Sequence, residues 1–377
     1  MRITCFIDSL NSGGAQRQIS MLAVLLSRQG FEVKVLLYHQ LDFFQDVLSK
    51  ENIPVEYISS KNKYHRFFAV RKAIRESQPD VVIAFLNSPS LLAEFSGLPS
   101  RRYKLIVSER NTEFNGVTFK CFRRFLFHTL ADKVVTNSHA QGTFIKKTAP
   151  WLRPRLATII NCVDLEAFHP PDRPYSVDSS ELRLLVLGRL ENQKNPLALL
   201  CAIKILKKSH PKLNLVVDWY GNNFFQNGTA TQKSDLYLQL QKSIEDDQLE
   251  GSFRLHPPVK EVINLYWRSS ALCLPSLWEG CSNVICEAIA CGKPVLASRA
   301  GDNDILVKEG ENGFLFNPKS PDDIARTILR FASLSVEERS AMGAKSRSMA
   351  ESMLSTASFV KKYMECIDGI MPIRSVS

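Results

Sequence analysis

The sequence predicts an α/β protein made of two doubly wound parallel-sheet domains facing each other across a cleft, and three observations carry that prediction. Apolar segments of strand length alternate with amphipathic helical segments along most of the chain, the pattern of parallel strands covered by helices on both faces. A Pro- and Asp-rich run, INCVDLEAFHPPDRPYSVDSSE, interrupts the alternation near the middle. The length of 377 residues, with 45% hydrophobic and 23% charged, suits two globular domains and excludes a disordered chain.

The elements follow in order. RITCFID reads as a buried strand, NSGGAQRQ as a loop, QISMLAVLLSRQG as a helix closed by Gly30, and FEVKVLLY as the next strand, which together make one βαβ unit. VEYIS, a helix around FAVRKAIRESQ, DVVIAFL, KLIVSE and KVVTNS continue the series. A second series runs LRLLVLGRL, PLALLCAIKILKKSH, LNLVVDWYG, SDLYLQLQKSIEDD, SFRLHP, VKEVINLYWRSS, ALCLPS, NVICEAIACG, PVLAS and GFLF. The chain then ends in helices around VEERSAMGAKSRSMAESM and STASFVKKYMECIDGI. The expected domains are 1–165 and 181–355, with a linker at 166–180 and a C-terminal helical segment, 356–377, crossing back to the first domain. Open parallel sheets take ligands beyond the carboxyl ends of their strands, so the cleft is the expected site.

No apolar run approaches the ~20 residues that span a bilayer. MRITCFIDSLNSGG is broken by Asp8 too early for a secretory leader, so the expectation is a chain that works in the cytoplasm from Met1. Nine scattered cysteines without a C-x-x-C pair point to a reducing compartment. Cys281, Cys286 and Cys291 lack histidine partners at zinc spacing and read as small buried hydrophobes. The net charge of +10 sits wholly in the first half: residues 1–165 hold 23 Lys and Arg against 13 Asp and Glu, and the remainder 25 against 25. Such a half suits an anionic partner, whether a membrane surface, a phosphorylated acceptor or a nucleic acid; no nucleic-acid motif accompanies it, and the partner expected here is an anionic membrane surface. Its candidate segment is FKCFRRFLFHTL at 119–130, where Phe119, Phe122, Phe125 and Phe127 interleave with Lys120, Arg123 and Arg124; the phenylalanines serve either an interfacial helix or the core.

The chemistry concentrates in PSLWEGCSNVICEAIACGKPVLAS, where Glu279 and Glu287 stand eight residues apart across small residues. Ser282 or Asn283 suits the N-cap of the helix that follows, and a helix start favours anions. Carboxylates accept hydrogen bonds from vicinal hydroxyls, so the two acids suit the diols of sugars; ordinary complementing of the helix dipole is the other reading. VLGRLENQKNP supplies the positive charge a phosphate needs, with Arg189 and Lys194 on a loop after a strand that ends at Gly188.

GRLENQKNP followed about 85 residues later by PSLWEGCSNVICEAIACGKPV resembles the family 4 retaining glycosyltransferases. SGGAQR, INCVDLEAFHP and NGFLF extend the resemblance over nearly the whole chain. It implies two Rossmann-like domains in the B-type glycosyltransferase (GT-B) fold and a nucleotide-sugar donor. It also implies that Arg189 and Lys194 bind the donor diphosphate, that Glu279 meets the transferred sugar and Glu287 the ribose. Backbone at Gly280, Cys281, Ser282, Asn283 and Val284 would line the sugar and phosphate site, and Gly13 and Gly14 would admit the donor from the first domain. Base contacts are open, since YGNNF and LHPPV replace glycine-rich turns; main chain near Pro258 and Val259 is the candidate. Where relatives carry a cleft histidine this chain reads VSERNTEF, so Glu109, Arg110 and Asn111 are candidates for the acceptor side, or members of a structural ion pair.

No cofactor and no metal are expected: Asp302 and Asp304 form a D-x-D, but Arg189 and Lys194 already supply the charge a metal would bring. The expected activity is transfer of a hexose or N-acetylhexosamine, from a UDP sugar, to a lipid-linked or polysaccharide acceptor in bacterial surface glycan, lipopolysaccharide or exopolysaccharide synthesis. The expected place is the inner face of the cytoplasmic membrane. A nucleotide-sugar epimerase or hydrolase, or a non-catalytic nucleotide-sugar-binding module, are the rivals.

Overall fold

The computed structural model describes residues 1–110, 118–172, 181–221, 225–226, 229–230 and 235–371. The chain forms two compact units: Met1–Cys162 together with the segment from Thr356, and Val163–Ser355. Passage between them falls at Cys162–Val163 and again at Ser355–Thr356.

In the first unit, in chain order, lie β1 (Arg2–Phe6), α1 (Gly14–Arg28), β2 (Glu32–Leu37), α2 (Gln45–Lys50), β3 (Val55–Tyr57), α3 (Lys63–Glu76), β4 (Val81–Phe85) and α4 (Asn87–Ser96). β5 (Lys104–Glu109), α5 (Phe119–Phe127), β6 (Lys133–Thr136), α6 (His139–Thr148) and β7 (Leu156–Thr158) complete its sheet. The strands are all parallel, in the order β3-β2-β1-β4-β5-β6-β7. Alternation along each strand feeds two cores. Ile3, Cys5, Val81 and Ile83 face α1 and the C-terminal helix, while Val82, Ala84, Leu105 and Val107 face α3 to α6. The stretch NSGGAQRQ is a loop only as far as Gly13, which is the N-cap; Gly14 opens α1.

The second unit contains β8 (Leu182–Leu187), α7 (Pro196–Ser209), β9 (Leu215–Tyr220), the two-residue strands β10 (Phe225–Gln226) and β11 (Thr229–Ala230), α8 (Asp235–Asp246), β12 (Phe253–His256) and α9 (Ile263–Arg268). β13 (Ala271–Leu274), α10 (Asn283–Ala290), β14 (Val295–Ser298), α11 (Asn303–Leu306), β15 (Gly313–Phe316), α12 (Pro321–Ala332) and α13 (Val336–Met353) follow. Its parallel sheet has the order β12-β9-β8-β13-β14-β15. α13 opens on a capping box in which Ser335 and Glu338 satisfy each other's backbone N–H.

Beyond the passage at Ser355, α14 (Thr356–Asp368) packs on the first unit, burying Phe359, Val360, Tyr363 and Ile367 in the core of β1, β2 and α1. Residues 163–172, which include the start of the expected linker, are tied into the second unit: Val163 donates to the Leu354 carbonyl (3.0 Å), and Arg347 donates to the Phe168 (2.9 Å) and Ala290 (2.8 Å) carbonyls. The rest of that linker, 173–180, lies outside the described residues.

Candidate active site

In the second unit the strand order turns at β8, whose neighbours are β9 on one side and β13 on the other. A crevice at such a switch point, beyond the carboxyl ends of the two strands, is where doubly wound sheets receive ligands. The loop after β8 carries Arg189 and Lys194, and the loop after β13 carries Glu279.

Residues flanking Lys194 lace these loops together. The Leu277 amide donates to the Gln193 carbonyl (2.8 Å) and the Gln193 side chain donates to the Trp278 carbonyl (2.9 Å). Asn195, in the left-handed region at φ +57, caps the start of α7 and donates to the carbonyls of Pro275 (3.1 Å) and Pro318 (2.7 Å). Gly188 gives the Lys194 stem room, since a Cβ there would stand 3.3 Å from its Cε. The outcome is an ion pair: Lys194 Nζ lies 2.6 Å from Glu279 Oε1, with the side chains 18% and 9% exposed.

Arg189 shares the loop but not the contact. Its guanidinium pairs with Glu191 at 3.0 Å and is 66% exposed. The structure therefore brings Lys194 to Glu279 and leaves Arg189 on the rim of the same loop.

Glu279 leads through Gly280, Cys281 and Ser282 into α10, with Ser282 as N-cap by backbone geometry and no capping bond from its side chain. A helix start concentrates partial positive charge, here within five residues of the Lys194–Glu279 pair. The turn depends on Gly301, at φ +57, where a Cβ would fall 2.1 Å from the Glu279 carbonyl oxygen and 2.7 Å from that of Gly280. The next amide, Asp302, donates to the Gly280 carbonyl at 3.2 Å. Asp302 of the D-x-D is the buried residue preceding α11, and Asp304 stands in its first turn.

Glu287 is only 4% exposed. The Tyr266 hydroxyl donates to its Oε2 at 2.9 Å and lies 3.2 Å from the Val284 carbonyl, so one phenol braces both the acid and the start of α10. Tyr266 rides on α9, whose C-terminal end is held by Lys293, donating to the Trp267 (2.9 Å) and Ser269 (3.0 Å) carbonyls. Burial pulls the Lys293 ammonium down to about 8. Sequence reasoning missed Tyr266 and Gly301: the first is one aromatic in an ordinary amphipathic pattern, the second one glycine in a loop. Cys281, Cys286 and Cys291 are all buried, and the Cys281 and Cys286 sulfurs approach to 3.8 Å.

In the first unit, Gly13 and Gly14 occupy the start of α1 after β1, beside that sheet's own switch between β1 and β4. Glu109 ends β5 fully enclosed. His128 Nε2 contacts its Oε1 at 2.8 Å, Arg124 stands 3.1 Å away, and Gln141 donates to Oε2 at 3.2 Å. His128 Nδ1 meets Glu94 at 2.6 Å, forming a buried Glu94–His128–Glu109 row. Burial alone would lower the imidazole, but hydrogen bonds and charge from Glu109 and Glu94 outweigh it and push His128 up to about 9. Burial opposes ionisation of Glu109 too, yet His128 and Arg124 hold its carboxyl below the usual range, whereas burial prevails at Glu94 and raises it.

Arg110 is equally committed to the fold. It donates to Ser108 (3.1 Å), Asn161 (2.8 Å) and Tyr363 of α14 (3.1 Å), with its guanidinium 4.0 Å from the Phe85 ring centre. Glu109 is ion-paired inside the unit, with His128 and Arg124, whereas the partners of Arg110 are neutral side chains. Asn111 lies outside the described residues.

Comparison with known proteins agrees with this layout. The model of Glycosyltransferase Family 4 matches residues 12–167 and that of Glycosyl transferases group 1 matches residues 172–349. Spore coat protein SA of Bacillus subtilis is 30% identical over 236 residues, 58% of this chain; the match spans 60% of that protein's own length. The Campylobacter jejuni GalNAc-alpha-(1->4)-GalNAc-alpha-(1->3)-diNAcBac-PP-undecaprenol alpha-1,4-N-acetyl-D-galactosaminyltransferase is 28% identical over 304 residues, 77% of each chain. Among solved structures, Anabaena Alr3699/HepE in complex with UDP and glucose superposes with a TM-score of 0.84 at 19% identity, over 98% of this chain and 100% of that one. At that identity the likeness speaks for the fold: both sheets are Rossmann-like and of the GT-B type.

Proposed function

The chain belongs to glycosyltransferase family 4, and from that premise we propose that it transfers a hexose or N-acetylhexosamine from a UDP sugar, with retention, to a lipid-linked or polysaccharide acceptor. One observation carries the reading: Lys194 and Glu279 meet beyond β8 and β13, at the head of α10, 2.6 Å apart. A cation, a helix start and a carboxylate at one point match the three demands of a nucleotide sugar: diphosphate charge, phosphate oxygens and sugar hydroxyls.

In this reading Lys194 and the start of α10 meet the charge that grows on the departing diphosphate, the kind of preorganised stabilisation that lowers acyl- and phosphoryl-transfer barriers. Arg189, on the exposed rim of the same loop, adds to that charge. Glu279 accepts from sugar hydroxyls and, by pairing with Lys194, keeps the ammonium at the crevice. Glu287 accepts from the ribose. Backbone from Gly280 to Val284 lines the sugar and phosphate site. Neither metal nor cofactor takes part. The UDP held by the structural neighbour supports UDP as carrier, and the undecaprenol-linked substrate in the name of the Campylobacter relative supports a lipid-linked glycan acceptor in bacterial surface-glycan synthesis. The working place is the inner face of the cytoplasmic membrane.

The test is thermal stabilisation of the purified chain by a panel of nucleotide sugars, followed by transfer assays in membrane extract with the best binder. A UDP sugar raising the melting temperature and labelling a lipid fraction is the expected result. Stabilisation by none of the panel overturns the reading, as does donor turnover that proceeds equally without an acceptor.

A further inference from the structure

Exposed large hydrophobic side chains are concentrated in the first unit, which holds ten of the thirteen found among the described residues. Four of them form one cluster. α5 turns Cys121 and Phe125 into the core and leaves Phe119 (78% exposed), Phe122 (43%) and Leu126 (49%) on its outer side. Their spacing, at 119, 122 and 126, is that of a single helical stripe. Trp151, 39% exposed, meets Phe122 edge-on at 5.6 Å and donates its indole N–H to the Phe125 carbonyl at 3.4 Å, which fixes it beside the stripe. An apolar stripe left in water costs free energy that a covering surface recovers.

The charge around it identifies the cover. Lys120 and Arg123 are exposed on the same helix. From 119 to 155 the chain carries eight Lys and Arg and a single acid, Asp132. Asp132 is already taken, by Arg101 at 2.6 Å and Lys104 at 3.6 Å. The same helical layer of the sheet, on α3, also exposes Tyr64 and Phe68 next to Lys61 and Lys63. Aromatic and aliphatic side chains interleaved with cations, with the one acid of 119–155 already paired, are the composition of an interfacial helix on anionic lipid. A nucleic acid would use the cations and leave Leu126 and the phenylalanine edges without a role.

We propose that the outer face of α5, with Trp151, docks this protein on an anionic bilayer. Phe119, Phe122 and Leu126 enter the boundary between headgroups and acyl chains, and Lys120 and Arg123 pair with lipid phosphates. The proposal rests on the reading above only for why the surface is useful, since it places the enzyme where a lipid-linked acceptor resides.

The test is flotation of the full chain with phosphatidylcholine vesicles, with and without phosphatidylglycerol, in the absence of donor and acceptor. K120E/R123E and, separately, F119S/F122S are compared with the parent. All four side chains face solvent, so melting temperature and nucleotide-sugar stabilisation should stay as in the parent, which separates docking from folding and from the transferase reading. The parent should partition onto anionic vesicles alone and come off with salt, and each double variant should bind at least about tenfold more weakly, since each basic residue near an anionic surface contributes about fivefold. The proposal is overturned if the parent ignores anionic vesicles or if both variants float like it. It is equally overturned if the substitutions instead abolish RNA binding or dissociate a dimer while vesicle binding persists.

Discussion

Replacing His128 by Gln should remove a pH-dependent share of the first unit's stability. The imidazole is buried between Glu94 and Glu109 and titrates at about 9 rather than 6.5. A group whose folded value is raised contributes its full stability below the unfolded value and loses it as pH rises through the folded one, so the window here runs from 6.5 to about 9. At 1.36 kcal/mol per pH unit across that window, the imidazolium contributes roughly 3 kcal/mol at pH 6. In H128Q Glu94 and Glu109 lose the buried cation they share, while Glu109 keeps Arg124 at 3.1 Å, so the loss at pH 6 should be about 3–5 kcal/mol. By pH 10 the parent imidazole is neutral too, and the gap should narrow to about 1 kcal/mol, the net value of a neutral hydrogen bond. Hydrogen exchange read on peptides of β5, corrected for the intrinsic pH dependence of exchange, measures the opening free energy of this unit separately from the other. A parent equally protected at pH 6 and pH 10, or a gap that does not change with pH, refutes the reasoning.

Two further outcomes follow from the second unit. Tyr266→Phe keeps the ring and removes the donor that braces Glu287, so it should raise the donor KM about tenfold, the value of a hydrogen bond to a charged group, with a smaller change in kcat. A donor lacking the ribose hydroxyls should bind the parent and Y266F alike; if Y266F still weakens that donor, the tyrosine acts through general structure. Gly301→Ala combines a left-handed backbone with a Cβ 2.1 Å from the Glu279 carbonyl. It should weaken donor binding at least about tenfold and cost about 1–3 kcal/mol of stability in the unit; unchanged nucleotide affinity by calorimetry would contradict the account of this turn.

Legibility differed between elements for physical reasons. Buried parallel strands announce themselves as apolar runs, so β1, β2, β4, β5, β8, β9 and β13 were readable at their cores. The Lys194 loop and the Glu279 turn were readable because each follows such a strand. Their meeting was not, because it depends on β8 and β13 being neighbours in the sheet and on Gln193 and Asn195 bonding across to 275–278. The same limit hid Tyr266 from Glu287. It also hid the Glu94–His128–Glu109 row, whose members come from α4, the turn after α5 and the end of β5. The seven histidines are scattered along the sequence, and it is burial that gathers His128 with its acids. α12 was overlooked although Ser320, Pro321 and Asp323 spell a helix start; the Ser320 hydroxyl accepts from the Asp323 amide at 3.2 Å.

In the proposed function the Lys194–Glu279 pair grips the donor. The most direct measurement is the rate of sugar transfer from the best-binding nucleotide sugar by K194A and by E279Q, with melting temperature as the control for folding. Each variant should lose at least about a hundredfold in rate, the scale of one preorganised electrostatic contact to developing charge, while melting within a few degrees of the parent. Transfer at the parental rate by either variant would contradict the account.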